Sequence, residues 1–374
     1  MPKILYLVTE DWFFVSHFLP MAHAATAAGF DVVVATRVGD QETTIRAAGF
    51  RLIEIDSERQ SVGLMKALRY IARTFAVIRD ERPDIVHCIA LRCVVLGGVA
   101  ARLARARGLV LAPTGLGHLW LTHGFVAHVT RSIVRFLVGS WLRGSHTRYI
   151  FENRDDPSEF QLSADDPYVT IVGGAGVDPR AFPTYPEPAA PPVRIAVVSR
   201  MIRAKGITEA IEAVRRARAL GAYLELDLFG DPDPSNPATL TEAELRQSAA
   251  EPGIAWHGRT DDVPRVWRDH HIALFLSYRE GLPRTLVEAA ACGRPIVTTD
   301  VTGCREVVRD GIEGFLVPPR DIDAATRALV VLAGNAALRT KMGVAANGRY
   351  RERFTEEIVA ATIQRLYRSF IEAA

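Results

Sequence analysis

The chain has 374 residues, 48% of them hydrophobic and 24% charged, and its formal net charge is +2. This length favours two domains, because single hydrophobic cores stop growing near about 250–300 residues. The near-neutral charge and the lack of a recognised motif argue against nucleic acid as a partner. No uninterrupted apolar run approaches the ~20 residues that a membrane-spanning helix needs.

The four cysteines form no C-x-x-C pair and lie among apolar or helical residues: Cys88, Cys93, Cys292 and Cys304. Reduced, mostly buried thiols in a cytosolic protein are therefore expected. We also expect no signal peptide, since Met1–Thr9 is too short for one and is better explained as a first parallel strand.

In chain order, short buried strands alternate with helical patterns through the first half of the chain. The strands are predicted at Ile4–Val8, Asp31–Ala35, Arg51–Ile55, Ile85–Ile89, Leu109–Ala112, Tyr149–Phe151 and Tyr168–Val172. Helical patterns fall between them, for example at Leu19–Ala28 and Leu64–Arg79. We predict that residues 1–178 form a first domain.

A proline-rich segment interrupts this alternation, and five prolines after Phe182 exclude a helix or a central strand there. Residues 179–192 are therefore predicted to be an interdomain linker. A second alternating series follows within residues 193–354. Its strands are predicted at Val193–Val198, Tyr223–Phe229, Gly253–His257, Ile272–Leu276, Pro295–Thr299 and Gly314–Val317.

Alternating strands and helices predict the α/β class, with parallel sheets covered by helices on both faces. Two such series joined by one linker predict two facing, doubly wound Rossmann-like domains. Ligands of these folds bind beyond the carboxyl ends of the strands. We therefore expect the functional site in a cleft between the two domains.

The segment from Ser277 to Val297 predicts a strand, a glycine turn, a helix and another strand, with two carboxylates eight residues apart. Glu280 is placed in the turn, and Glu288 about two turns into the helix on much the same side. Backbone N–H groups and a positive helix end suit phosphates, while two carboxylates suit hydroxyl groups. This combination predicts a sugar-nucleotide site.

Glu280-Gly-Leu-Pro, followed by Glu288-Ala-Ala-Ala-Cys-Gly and a Pro-Ile-Val strand, resembles the E-x7-E signature of family 4 glycosyltransferases. These are retaining enzymes of the two-domain GT-B fold. The resemblance implies that Glu280 contacts donor-sugar hydroxyls and Glu288 the ribose. It also implies that the helix start at Gly281, Leu282 and Pro283 carries phosphate charge, and that the last helix, 355–374, packs back on the first domain.

A second basic element precedes the helix predicted from Thr208, in the order Ser199-Arg200-Met-Ile-Arg203-Ala-Lys205-Gly206. Cations beside a helix N-terminus suit a diphosphate, although a solvated basic loop would have the same composition. The element resembles the family's Arg…Lys-Gly pattern, which assigns Arg200 and Lys205 to the leaving diphosphate with Ser199 beside them.

Two further loops of the second domain are interpreted through the same resemblance. Gly258 and Arg259 lie in the loop that passes the nucleotide base in relatives, mostly through main-chain groups. Asp231-Pro-Asp233 resembles a metal-binding D-x-D only superficially, because the surrounding prolines favour a turn. No other grouping has metal-ligand spacing, so we expect no metal and no cofactor.

In the first domain, Trp12, Phe14, Ser16 and His17 follow the first strand, where relatives carry a glycine-rich loop. The aromatic rings suit either a sugar or lipid acceptor or simple packing beneath the loop. The Trp-x-x-x-Ser-His order resembles a subgroup that transfers N-acetylgalactosamine to saccharides on a lipid carrier.

The wall of the first domain is completed by the loop after the strand Leu109–Ala112. Relatives have a histidine directly after that strand, whereas here Thr114 and Gly115 take its place and His118 falls later. We assign Trp12, Phe14, Ser16, Thr114 and Gly115 to the acceptor. His17 and His118 are assigned to catalysis.

The charge is unevenly distributed, because no Asp or Glu occurs between Asp84 and Glu152. Arginines and histidines there are interleaved with apolar residues, most clearly in residues 121–143. Such a stretch suits either peripheral contact with an anionic membrane or a core-packing helix with a basic edge.

Taken together, these features predict a retaining, metal-independent transferase that moves a sugar from a UDP-N-acetylhexosamine to a polyprenyl-diphosphate-linked saccharide. The expected place is the inner face of the cytoplasmic membrane. Two alternatives stay open, a UDP-sugar epimerase of the same fold and a non-catalytic scaffold that binds the sugar nucleotide.

Overall fold

A computed structural model describes residues 1–55, 63–116, 119–120 and 124–372. The chain divides into two compact units, one formed by residues 1–175 with 356–374 and the other by residues 176–355. The first unit is thus discontinuous in sequence. Both units have the predicted α/β class.

The first unit contains a seven-stranded parallel sheet in the order β3-β2-β1-β4-β5-β6-β7. Its strands are β1 Lys3–Glu10, β2 Asp31–Arg37, β3 Arg51–Glu54, β4 Ile85–Ile89, β5 Gly108–Ala112, β6 Thr147–Phe151 and β7 Val169–Ile171. All five residues of β4 and of β5 are buried, as expected for strands covered by helices on both faces.

Two hydrophobic clusters cover the two faces of this sheet. The helices that supply them are α1 Asp11–His17, α2 Leu19–Ala27, α3 Glu42–Ala47, α4 Leu64–Glu81, α5 Ala90–Arg92, α6 Gly98–Leu103, α7 Phe125–Phe136 and the C-terminal helix, Glu356–Glu372. Wider π-helical turns follow α5 and α7, at Cys93–Gly97 and Leu137–Trp141. The predicted loop after β1 was wrong, because Asp11–His17 is a short helix.

A buried chain of hydrogen bonds attaches the C-terminal helix to this sheet. The Tyr367 hydroxyl lies 2.9 Å from the Tyr6 hydroxyl and 2.9 Å from Nδ1 of His87, and Tyr6 donates to the Met21 carbonyl at 3.3 Å. Burial without a charged partner lowers the pKa of His87 to about 3. His87 is therefore neutral in the folded protein.

The second unit contains a six-stranded parallel sheet in the order β10-β9-β8-β11-β12-β13. Its strands are β8 Val193–Val198, β9 Leu224–Phe229, β10 Ile254–Trp256, β11 Ile272–Phe275, β12 Ile296–Thr299 and β13 Gly314–Val317. Its helices are α8 Ile207–Ala219, α9 Glu242–Ala249, α10 Val263–Asp269, α11 Arg284–Ala291, α12 Cys304–Val307, α13 Ile322–Ala333 and α14 Ala336–Arg353; the C-terminal helix of the first unit is α15.

The proline-rich segment 179–192 is packed onto the second unit and is not a free linker. Arg294, which is 1% exposed, donates from Nη2 to the carbonyls of Tyr185 and Pro186 at 3.0 and 2.8 Å. Glu187 accepts from Nε of the buried Arg339 at 2.6 Å. The prolines of residues 179–192 exclude a helix and a central strand, but they do not predict which unit the segment packs against.

No helix in the described part of the chain is long and apolar enough to cross a bilayer. The four cysteines are buried and unpaired with one another, as the sequence predicted.

The neutral His87 makes stability depend on pH. Its unfolded-state pKa is about 6.5, so only the unfolded chain binds its proton between about pH 6.5 and 3. The free energy of unfolding should therefore fall as pH drops below 6.5, by up to about 1.4 kcal/mol per pH unit for this histidine. His271 of the second unit, whose pKa burial lowers to about 4, adds a similar slope.

Urea unfolding between pH 6.5 and 5 measures this slope. We expect His87→Gln to reduce the pH dependence of the first unit's free energy of unfolding. The amide keeps a polar group beside Tyr367 but binds no proton. His146→Gln removes an exposed histidine of the same unit and should change nothing. An unchanged slope in His87→Gln would show that His87 is not the titrating group.

Candidate functional site

The turn between β11 and α11 carries the two glutamates singled out in the sequence. Pro283 is the extended residue just before α11, which begins at Arg284. Glu280 lies in the turn and Glu288 is the fifth residue of the helix. The prediction that Glu288 lies about two turns into the helix was wrong, because Pro283 delays the helix start and leaves Glu288 just over one turn inside.

Lys205 pairs with Glu280 across the carboxyl edge of the sheet. Its Nζ lies 2.6 Å from Oε1 of Glu280, and the side chains are 20% and 12% exposed. Ser277 donates a hydrogen bond to the same carboxylate oxygen. The backbone N–H of Tyr278 donates to the Ala204 carbonyl at 3.0 Å, which ties the two loops together. The structure thus brings the predicted phosphate cation and the predicted sugar-binding carboxylate into direct contact.

Two glycines allow the loops of this edge to approach so closely. Gly206 has φ +69°, and a Cβ there would overlap the carbonyl oxygen of Leu276 at the end of β11. Gly303 has φ +78°, and a Cβ there would overlap the carbonyl oxygen of Gly281 in the turn. Any side chain at either position would push the backbone of the turn outward.

Glu288 is 8% exposed and has its own cation. Nε of Arg284, one turn earlier in α11, donates to Oε1 of Glu288 at 2.8 Å. Burial raises the pKa of Glu288, and the guanidinium of Arg284 opposes that shift. Arg284 contacts Oε1 of Glu288, and the second carboxylate oxygen, Oε2, is an acceptor that suits hydroxyl donors.

Arg200 does not join Lys205 in this structure. Its Nη1 pairs with Oδ2 of Asp233 at 2.6 Å, and its side chain is 57% exposed. Asp233 also accepts hydrogen bonds from the hydroxyl and the N–H of Ser235. The hydrogen bonds from Ser235, together with the Arg200 guanidinium, hold the pKa of Asp233 below its ordinary range. Ser199 turns its hydroxyl back to the Arg200 carbonyl at 3.1 Å. An arriving anion would compete with Asp233 for the guanidinium.

The loop after β10 is anchored by main-chain contacts to the end of β9. Gly258 accepts from the N–H of Gly230 at 2.7 Å, and the N–H of Arg259 donates to Oδ1 of Asp231 at 3.0 Å. The Arg259 side chain is 77% exposed. Both aspartates of the D-x-D segment therefore have partners within the protein. Asp231 accepts a hydrogen bond from the Arg259 backbone, and Asp233 pairs with Arg200. No group of three His, Cys, Asp or Glu able to hold a metal occurs in the described ranges.

The residues assigned to an acceptor in the first unit have different surroundings. Trp12 is 47% exposed, whereas Phe14 has no exposed surface and packs in the core, 5.8 Å from the Tyr6 ring centroid. Phe14 therefore supports α1 from beneath and cannot offer a face to an acceptor, which corrects that assignment. Oγ of Ser16 lies 2.6 Å from Nδ1 of His17.

The loop after β5 lies at the same sheet edge, two strands away from β1. The Thr114 hydroxyl is buried and has no hydrogen-bond partner among the described residues, and Gly115 has φ +70°. An unsatisfied buried hydroxyl costs free energy, so this one is suited to a ligand that reaches it. His118 and its neighbour Gly117 lie outside the described residues.

Sequence reasoning missed two contributors to the second unit's edge. Arg284 could have been found, because a cation four residues before Glu288 on a helix faces it. Arg320 could not have been found, since its guanidinium packs 4.5 Å over the Tyr278 ring from a loop after β13. Tyr278 in turn donates from its hydroxyl to Oε1 of Glu209 at 2.5 Å.

The mostly buried Lys205–Glu280 pair makes a testable contribution to stability. Lys205→Met leaves the carboxylate without its cation, so we expect the free energy of unfolding to fall by about 2–3 kcal/mol. Adding Glu280→Gln should restore part of that loss, because the unpaired charge is then gone. Urea unfolding of both variants measures the difference. Arg246→Met breaks an exposed pair with Glu242 and should cost less than about 0.5 kcal/mol. A double variant as unstable as Lys205→Met would contradict the pairing.

Comparison with known proteins gives matches in both halves of the chain. Residues 3–140 match the family described as Glycosyl transferase 4-like, and residues 192–335 match Glycosyl transferases group 1. In Campylobacter jejuni, N,N'-diacetylbacillosaminyl-diphospho-undecaprenol alpha-1,3-N-acetylgalactosaminyltransferase is 22% identical to this chain, covering 94% of it and 95% of the relative. This similarity confirms the predicted resemblance to that subgroup.

Two further similarities extend the comparison. The UDP-Gal:alpha-D-GlcNAc-diphosphoundecaprenol alpha-1,3-galactosyltransferase of Escherichia coli is 23% identical, covering 75% of this chain and 74% of the relative. The crystal structure of Anabaena HepE in complex with UDP and glucose has a TM-score of 0.75 and 17% identity over the whole of both chains. The chain therefore belongs to the group 1 and 4-like glycosyltransferases and has their GT-B fold of two Rossmann-like domains.

Proposed function

We propose that this glycosyltransferase moves an N-acetylhexosamine from a UDP-sugar to a polyprenyl-diphosphate-linked saccharide, with retention of configuration and without a metal. The observation that carries the proposal is the β11–α11 turn. There Glu280, paired with Lys205, and Glu288, paired with Arg284, lie beside a helix N-terminus. Carboxylates for hydroxyls and cations for phosphates are the groups that a sugar nucleotide needs.

On the donor side, Glu288 accepts hydrogen bonds from the ribose hydroxyls and Glu280 from hydroxyls of the sugar. Lys205 and the N–H groups at Gly281–Leu282 bind the diphosphate, and Arg200 joins them when it leaves Asp233. Uridine as the base is supported by the name of the Escherichia coli relative and by the UDP bound to HepE.

The acceptor hydroxyl oxygen attacks the anomeric carbon on the face from which UDP departs. The bond from that carbon to the β-phosphate oxygen breaks, and the departing diphosphate takes the acceptor's proton. Lys205, Arg200 and the helix end stabilise the charge that develops on the diphosphate. In other sites a metal ion stabilises the negative charge of the leaving diphosphate. Here the cations of the protein would stabilise it, so we expect activity in the presence of EDTA.

On the acceptor side, both named relatives act on sugars linked to undecaprenyl diphosphate. The exposed Trp12 offers a ring to the acceptor saccharide, and the Ser16–His17 pair and the buried Thr114 hydroxyl offer polar contacts. A lipid-linked acceptor requires the protein to work at a membrane surface. We place it peripherally on the inner face of the cytoplasmic membrane.

A calorimetric titration with UDP, GDP and ADP in the presence of EDTA tests the donor site. We expect UDP to bind, and Glu288→Ala to weaken that binding roughly 10–100-fold, because charged hydrogen bonds to the ribose are lost. Glu242→Ala removes an exposed helix glutamate of the same unit and serves as the matched control. Absence of nucleotide binding by the folded wild type would overturn the transferase proposal.

Turnover distinguishes the transferase from the two alternative functions. A UDP-sugar incubated alone should stay unchanged, and product should form only when a polyprenyl-diphosphate-linked saccharide is added. Nuclear magnetic resonance of the new glycosidic bond should show the donor's anomeric configuration. A new epimer without acceptor would identify an epimerase, and UDP-sugar binding without turnover on any lipid-linked acceptor would identify a scaffold.

A further inference from the structure

The second unit contains a cavity of about 210 Å³ at the amino ends of β11 and β12. Glu280 follows the carboxyl end of β11, so the cavity and the donor site lie at opposite ends of the strands. Its walls are formed by residues 184–187 of the proline-rich segment, by His271, by residues 293–295 and by α14. All of them belong to the second unit, and nothing described above assigns a function to them.

Arg294 borders the cavity and is a buried charge without a carboxylate partner. The residue is 1% exposed, and among the described residues no carboxylate oxygen lies within 4.0 Å of its guanidinium. Nη2 donates to the carbonyls of Tyr185 and Pro186, but Nε has no hydrogen-bond partner. Buried charges in proteins are ordinarily paired, because an isolated one is costly to remove from water. Arg294 therefore lacks an anion.

His271 supplies a second unpaired donor at the same cavity. Its Nδ1 accepts the backbone N–H of Arg194 at 3.0 Å, so in the neutral ring the proton is on Nε2. Burial lowers the pKa of His271 to about 4, which keeps the ring neutral. Nε2 is buried and has no hydrogen-bond partner in the described part of the chain. A buried donor without a partner costs free energy, and an acceptor would remove that cost.

Glu187 is the one carboxylate that borders the cavity, and its charge is already compensated. Nε and Nη2 of Arg339 contact Oε1 of Glu187 at 2.6 and 2.5 Å, and the Thr340 hydroxyl donates to Oε2 at 3.2 Å. Arg339 is 3% exposed, so this pair is held tightly. The positive charge of Arg294 is left over, and the cavity has a net positive charge.

The size of the cavity and its opening limit what can bind. Pockets for larger organic ligands have volumes of about 300–1,000 Å³, so this one suits an ion or a very small metabolite. Thr340 and Val344 on α14 are exposed at its rim, which gives a small solute access from solvent. Guanidinium groups are the preferred partners of carboxylate and phosphate oxygens.

We propose that this cavity binds a small oxyanion, a phosphate or a carboxylate, whose charge compensates the buried Arg294. The inference is independent of the proposed function, since no residue of the donor site takes part in it. Arg294 also holds Tyr185 and Pro186 through their carbonyls. A bound anion therefore stabilises the packing of the proline-rich segment on the second unit.

Thermal unfolding and calorimetric titration of the UDP-saturated protein test the site. The probes are sodium phosphate and sodium malonate, with sodium chloride at equal ionic strength as the reference. Saturation with UDP keeps the probes away from Lys205 and Arg200. We expect phosphate or malonate to bind with a stoichiometry of one and to raise the Tm, because a ligand of the native state stabilises it. The stronger probe shows whether the site prefers a phosphate or a carboxylate.

Two variants locate the bound anion. Arg294→Gln removes the charge but keeps an amide donor for the backbone carbonyls, and it should weaken binding roughly 10–100-fold. Val344→Trp adds bulk at the rim from a side chain that is 69% exposed, and it should weaken binding without removing a hydrogen bond. The matched controls are Lys341→Gln, an exposed cation of α14, and Leu220→Trp, another exposed apolar position. Both should bind the anion like the wild type.

Two results would overturn the anion site. One is a Tm that neither phosphate nor malonate raises above its value in chloride, since the cavity would then hold only water. The other is binding by Val344→Trp and Arg294→Gln that equals that of the wild type. If Arg294→Gln does not fold, Val344→Trp decides alone. A wild type that binds no UDP would overturn the transferase proposal alone, and the same titration on Lys205→Met would then test the cavity.

Discussion

Lys205 and Glu280 are 75 residues apart in the chain, and their ion pair joins the loop after β8 to the turn before α11. The arrangement around it depends on that contact. Gly206 brings the lysine loop against Leu276, Gly303 allows a third loop to approach Gly281, and Ser277 binds the shared carboxylate. Because both charges are largely buried, each needs the other, and a polyanionic ligand would meet a cation that is already positioned.

The two glutamates of the turn differ in how they are held. Glu280 is bound by a lysine from another loop, whereas Glu288 is bound by Arg284 from its own helix. A short-range pair on one helix is fixed by local geometry, so it persists whenever α11 is formed. The pair across two loops requires the whole carboxyl edge of the sheet. A shift of either loop would therefore separate Lys205 from Glu280 but leave Arg284 beside Glu288.

The alternation of short apolar segments with helical patterns predicted the parallel sheets well. The central strands are buried on both faces and therefore have continuous apolar sequences, and helices connect them. The fold class and the glycosyltransferase family are confirmed. The short helix at Asp11–His17 was missed, because seven residues are too few for a clear helical period. For Phe14 the structure shows packing, which is one of the two alternatives that the sequence left open. Pro283 shifted Glu288 by one turn, and the segment 179–192 turned out to be packed on the second unit. The partners of Arg200 and Lys205 depend on loops that are distant in sequence, which no local pattern reports.

The C-terminal helix follows the second unit in sequence yet completes the first, where Tyr367 closes the hydrogen bonds of Tyr6 and His87. During synthesis the residues of β1 leave the ribosome before those of the second unit, and the residues of α15 leave it after them. The first unit consequently lacks one covering helix until α15 has been synthesised, and residues 176–355 precede that helix in the chain. The first unit can therefore be completed only after the residues of the second unit have been synthesised, and the apolar surface that α15 covers stays open until then.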